Sequence, residues 1–229
     1  MFHSGQFISY TVAVRSLTGG FYTVPVSLEI SSGQPRPTEE TAARERTRSA
    51  ILAAAVNVLA TKPTASLGDI AAAARVGRTT LHRYFAERQE LVDEIGRLAA
   101  RSRREAAERA RLDEGTGLDA VARLCREYYE LADLLAVMFS TPGVLEVADT
   151  CIGDEDDVNA AIERGHRDGS IRPDLTVDWV QNLVWTFLYT AVDYVARGQG
   201  TRMEVLRLTV ESLRGAIGTF GTRDTPPHR

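Results

Sequence analysis

The 229-residue chain has a single lysine, Lys62, so 26 of its 27 basic residues are arginine. This bias is read as a sign of GC-rich coding. Cysteine is nearly absent. Cys125 and Cys151 are too few for a disulfide framework and suit a reducing compartment. No apolar run reaches the roughly 18 residues that a spanning helix requires, and the longest, Leu183 to Val192, stops at Asp193. Met1 to Gly5 carry no positive charge and no continuous apolar stretch follows, so no secretory leader is read and the expected address is cytoplasmic. The four histidines, His3, His82, His166 and His228, include no His-x-x-x-His spacing. Neither a Gly-x-Ser-x-Gly elbow nor a phosphate-cradling glycine loop occurs. An enzyme is thus disfavoured, and no metal or cofactor is expected.

What is present is an ordinary globular composition, 44% hydrophobic and 25% charged, with length for one large or two smaller domains. The net charge of −4 argues, for the chain as a whole, against a polyanionic partner. Its distribution argues otherwise. Residues 41–111 hold 14 basic and 8 acidic residues, net +6, whereas residues 112–229 hold 11 basic and 20 acidic, net −9. Two domains are expected, only the first facing a polyanion. Uniform coating of nucleic acid conflicts with the acidic second part.

Residues 1–40 stand apart. Ile8, Tyr10, Val12 and Val14 alternate with Ser9, Thr11 and Ala13, and Tyr22, Val24, Val26, Leu28 and Ile30 alternate after Gly19-Gly20, a hairpin pattern. A lone hairpin is marginal in water, so the stretch is read as a disordered extension or a start placed too far upstream, with a real arm as the alternative. Ser31 to Pro37 reads as a linker, and residues 221–229 as a disordered tail.

From Thr41 the period turns helical. Ile51, Ala55, Val58 and Leu59 share one face behind Arg44, Arg46 and Arg48, and the pattern stops before Pro63. Ser66 stands three residues before Asp69, a capping-box spacing that opens a short helix, Leu67 to Ala74. Arg75-Val76-Gly77 is a tight turn, and Arg78 to Phe85 resumes with Leu81, Tyr84 and Phe85 as its apolar positions. Two short helices across such a turn make a helix-turn-helix, whose second helix enters the major groove. A longer helix runs from about Glu87 toward Arg111.

The run from Ser66 to Phe85, with Arg88 and Leu91 after it, resembles the DNA-binding domain of the tetracycline-repressor-like (TetR) transcriptional regulators. The resemblance implies phosphate contacts from Ser66, Thr80, His82 and Arg88, base reading by Arg78, Thr79 and Arg83, and a shared position at Tyr84. Arg48 is counted with this set. Two departures stand out. Arg75 occupies the usual turn glycine and Gly77 the usual serine cap, so Gly77 is expected to absorb the turn's irregularity.

The rest is read as helical: one run over about 117–140, then Val144 to Cys151, Asp156 to Arg167, 177–197 and 202–218. The expected fold class is all-α. A helix-turn-helix domain spans residues 41–100, and a helical effector-binding and dimerisation domain spans 101–220. The helix over 177–197 carries two apolar stripes. Val180, Val184, Phe187 and Ala191 from it, with Leu206, Val210, Leu213 and Ile217 from the last helix, are the expected dimer contacts; burial inside one subunit is the alternative. The resemblance implies a small effector, with Cys125, Tyr128, Tyr129, Met138, Phe139, Asn182, Trp185 and Tyr189 as candidate pocket residues. The acidic run Asp154 to Asp157 reads as a solvated helix start, and the two thiols as core rather than sensor. Together these imply a homodimeric repressor, bound to a palindromic operator in double-stranded DNA and released by a small molecule. The alternatives are an activator or an effector-independent regulator, and no membrane partner is expected.

Overall fold

Apolar residues at helical spacing from Thr41 onward fold as helices in a computed structural model, which describes residues 6–15, 21–30, 39–152 and 155–219. The expected linker over 31–37, the tail at 221–229 and Asp154 of the acidic run lie outside the described residues. Ahead of the helices, β1 (Gln6–Arg15) and β2 (Phe21–Ile30) pair antiparallel. Ile8 stands opposite Leu28, Tyr10 opposite Val26 and Val12 opposite Val24, so the two alternating sets are register partners.

The chain divides into two compact units, the first holding residues 1–99 and 136–148, the second 100–135 and 149–229. In the first, α1 (Glu39–Thr61) ends where Pro63 forbids continuation. It is followed by α2 (Leu67–Ala73), α3 (Arg78–Tyr84) and the first part of α4 (Arg88–Arg109). Ile51, Leu59, Ile70, Leu81, Phe85, Leu91 and Ile95 are fully buried and form the core of this unit. Residues 136–148, placed by the sequence in the second domain, pack with the first unit instead.

The expected single helix over 117–140 is two: α5 (Gly117–Tyr129) and α6 (Ala132–Ser140). No glycine or proline marks the break. It is set from a distance. The Arg202 guanidinium donates to the Tyr129 and Glu130 carbonyls at 3.0 and 3.1 Å, closing the α5 C-terminus, while the Tyr129 hydroxyl donates back to the Arg202 carbonyl at 3.2 Å. Next come α7 (Val144–Ile152), α8 (Asp156–Arg167), α9 (Val177–Ala196) and α10 (Arg202–Ile217). Thr116, Thr176 and Thr201 cap α5, α9 and α10 through their side chains. Among the described residues no single helix is long and apolar enough to cross a membrane.

In the second unit α5 packs against α8, α9 and α10. The crossing of α5 and α8 leaves no space for a side chain, because a Cβ on Gly117 would stand 2.2 Å from the Gly165 backbone nitrogen. Gly117→Ala is therefore expected to cost about 2–3 kcal/mol in urea unfolding through overpacking. Gly215 of α10, with nothing within 4 Å of its Cβ position, serves as the control. There Gly→Ala is expected to add about 0.5–1 kcal/mol by relieving helix-interior entropy.

Candidate functional site

Leu81 and Phe85 anchor the inner side of α3 and leave Arg78, Thr79, His82 and Arg83 exposed, with Thr80 and Tyr84 half-buried. Arg78 lies against the first turn of α2, its Nη2 3.2 Å from where a Gly68 Cβ would stand. The Arg83 guanidinium stacks 5.5 Å over the Tyr84 ring. His82 Nδ1 is 3.2 Å from the Ala86 carbonyl, a contact that requires the proton on that nitrogen. Ser66 accepts from the Asp69 N–H at 3.1 Å and returns its own N–H to the Asp69 carboxylate at 2.8 Å. That backbone donor, with Lys62 at 3.3 Å, holds the Asp69 carboxyl below the usual carboxylate range.

Two of the sequence-assigned arginines are spent inside the unit. Arg88 donates to the Ala65 and Pro63 carbonyls at 2.5 and 2.9 Å, bracing the loop between α1 and α2. Arg48 pairs with Glu94 at 3.0 Å and lies 5.4 Å over Phe85, and the nearly buried Glu94 takes Arg97 as well at 2.9 Å. The Glu94 carboxylate holds Arg48 firmly charged. Arg44 and Arg46, left out of the sequence-assigned set, are exposed near the start of α1 with no ion pair among the described residues. Arg44, Arg46 and Arg48 lead into the helix together, and nothing local in the sequence tells the paired Arg48 from the other two.

The turn differs from expectation. Arg75 itself takes the left-handed conformation, φ 57°, with the following Val76 N–H bonded to the Ala71 carbonyl at 3.0 Å. Gly77 is an extended N-cap at φ −69° and absorbs no irregularity. The strain rests on a residue with a Cβ.

Capped helix, tight turn, basic exposed helix and supporting α4 agree with what known proteins show. A family profile described as bacterial regulatory proteins of the tetR family matches residues 51–95. The HTH-type transcriptional repressor LfrR of Mycolicibacterium smegmatis is 35% identical over 188 residues, covering 80% of this chain and 97% of LfrR. The chain belongs to the TetR family. It is a DNA-binding transcriptional regulator. The crystal structure of LfrR with proflavine superposes at a TM-score of 0.59 with 32% identity, covering 77% of this chain and 99% of LfrR. The ketosteroid regulator KstR2 of Mycobacterium tuberculosis, at 20% identity and a TM-score of 0.60 over 76% of this chain and 95% of its own, shares the fold.

The sequence-assigned effector residues are divided between the two units. Tyr128 and Trp185 meet, their rings stacked at 5.4 Å and 19°. Cys125 is buried, and burial pushes its thiol up to about 12, so it is neutral near pH 7. Tyr129 is committed to Arg202, whose guanidinium also lies 5.4 Å over its ring. Asn182 and Tyr189 are exposed on α9, and Met138 and Phe139 belong to the first unit.

The residues that the sequence assigned to a dimer contact are covered, wholly or in part, from within the chain. Val180, Val184, Ala191, Val210, Leu213 and Ile217 are buried by their own chain, and Phe187 and Leu206 are half-buried. The exposed large hydrophobic residues among those described are Trp179, Tyr189, Tyr194, Met203 and Leu208, and all five lie on α9 and α10. Trp179 is 56% exposed and Met203 80%, values that leave them free to meet another surface.

Replacing the strained turn residue tests the reading of the helix-turn-helix. Arg75→Gly should raise stability by about 0.5–1 kcal/mol, the left-handed penalty removed less the entropy glycine adds. Thermal and urea unfolding of the two proteins measure it.

Proposed function

We propose that this regulator is a homodimeric cytoplasmic repressor that binds a palindromic operator and is released by a small-molecule effector. The observation that carries the dimer is the gathering of the exposed large hydrophobic residues onto one helix pair, α9 and α10. An apolar face of this kind is normally covered, and a two-fold copy covers it with the same face. The two reading helices of such a dimer meet two half-sites one helical turn apart, which makes the operator palindromic. Arg78, Thr79 and Arg83 of α3 read base edges, while Thr80, His82, Arg44 and Arg46 hold phosphate. Repression follows the resemblance to LfrR, a repressor. The effector reading follows the complex of LfrR with proflavine, which shows a relative of this chain taking a small planar molecule. No catalytic step enters.

Footprinting and gel-shift titration on the DNA upstream of the chain's own gene test the reading. A protected palindrome is expected, with Arg78→Ala weakening binding by about 1–3 kcal/mol. The double variant Trp179→Arg, Leu208→Glu is expected to run as a monomer by light scattering and to lose the footprint. A folded wild-type protein that protects no palindrome refutes the operator, and a double variant that remains dimeric refutes the interface.

A further inference from the structure

Arg103 of α4 is the most deeply buried cation of the second unit, its side chain 3% exposed. Nη1 donates to Asp149 at 2.6 Å, Nη2 to Glu155 at 2.7 Å, and the guanidinium lies 4.6 Å over the Trp185 ring. Trp185 is in turn stacked on Tyr128, whose buried phenol is pushed up by desolvation and then by Glu155. A flat delocalised cation, stacked on an aromatic pair and hydrogen-bonded at its edge to two carboxylates, is how a protein holds a planar cationic ligand. Here the protein supplies that cation itself.

The fit is incomplete in two ways. Arg103 Nε is buried with no hydrogen-bond partner, which penalises the closed arrangement. The cluster also sets one cation against two carboxylates and so remains one negative charge in excess. The unpartnered Nε favours exchange of the guanidinium for an external cation that would release Nε to water and present a larger π-surface to Trp185, and the two carboxylates restrict that exchange to cations.

We infer that Tyr128, Asp149, Glu155 and Trp185 form the effector site, that its ligand is a planar aromatic monocation bearing edge amino groups, and that Arg103 is a built-in competitor which this ligand displaces. The inference rests on the effector-released reading above and adds the ligand's chemistry and the residue it exchanges with. Because α4 carries both Arg88 and Arg103, freeing Arg103 changes the side-chain bonds of the helix that supports the DNA-reading motif.

The test is fluorescence titration of the full chain with proflavine, and with acridone as a neutral planar control. Proflavine is expected to bind at least tenfold more tightly than acridone. Glu155→Gln and Trp185→Ala are each expected to weaken it by about tenfold. The decisive variant is Arg103→Met. With the competitor gone, it should bind proflavine about tenfold more tightly, and proflavine should raise its melting temperature more than that of the parent. A merely structural arginine would give the opposite sign. If Arg103→Met does not fold, Arg103→Lys serves, since an ammonium keeps charge but cannot lie flat on the ring with two edge donors; tighter proflavine binding than the parent is again expected. Equal acridone binding, or a folded Arg103 variant that binds proflavine no more tightly, overturns the inference. Gel shifts on the same preparations separate the two readings. DNA binding without the dye pattern sinks only the site, and the dye pattern without operator binding sinks only the repressor.

Discussion

The C-terminal ends of α4, α5 and α7 are closed by arginine. Every α-helix leaves carbonyls at its C-terminus without internal partners, and a guanidinium can serve two or three of them while offsetting the negative end of the helix dipole. Arg123 donates to the carbonyls of Ala110, Arg111 and Glu114 at 2.7, 2.7 and 2.6 Å, fixing the exit from α4. Arg164 reaches Leu112 and Gly115 in the same connection, Arg202 closes α5, Arg104 reaches the Cys151 and Ile152 carbonyls that end α7, and Arg88 braces the loop before α2. Lysine presents its donors from one point and matches such forked geometry poorly. The near absence of lysine thus has a structural counterpart. Among the described residues, arginine even occupies both left-handed positions held by residues with a side chain, Arg75 and Arg111.

This use of arginine changes what the charge of residues 41–111 means. The +6 of residues 41–111 counts Arg48 and Arg88, which neutralise Glu94 and backbone carbonyls rather than facing a polyanion. Outward and without an ion pair among the described residues stand Arg44 and Arg46 of α1, Arg75 of the turn, and Arg78 and Arg83 of α3. Selectivity for DNA then comes from geometry more than from bulk charge. In the proposed complex, the acidic second unit would disfavour other contacts with the duplex.

The helix-turn-helix was legible because its determinants are local. The Ser66–Asp69 capping box, the apolar spacing of Ile70, Leu81 and Phe85 and the stop at Pro63 all act within one or two turns of chain. The break after Tyr129 was not legible, since its cause, Arg202, lies 73 residues away. The roles of Arg48 and Arg88 were hidden for a related reason: an arginine paired to Glu94 and one aimed at phosphate look alike in sequence. Which apolar side of α9 stays open was not legible, because the helix carries two apolar stripes. Periodicity shows that both its stripes are covered, but not which side its own chain covers. Val180, Val184 and Ala191 turn inward, and Trp179 and Tyr189 outward. In the cluster around Arg103, Tyr128 and Trp185 were within reach as aromatics, whereas Arg103 carried no signal that set it apart from the other arginines of α4.

The division of the arginines into internal braces and DNA contacts is the central claim, and the salt dependence of operator binding tests it most directly. The slope of log affinity against log salt counts the phosphates neutralised. For Arg46→Gln the account predicts a slope shallower by about one per subunit, and for Arg88→Gln, once shown to be folded, the slope of the parent. A slope for Arg88→Gln that flattens as much as that for Arg46→Gln would contradict the account.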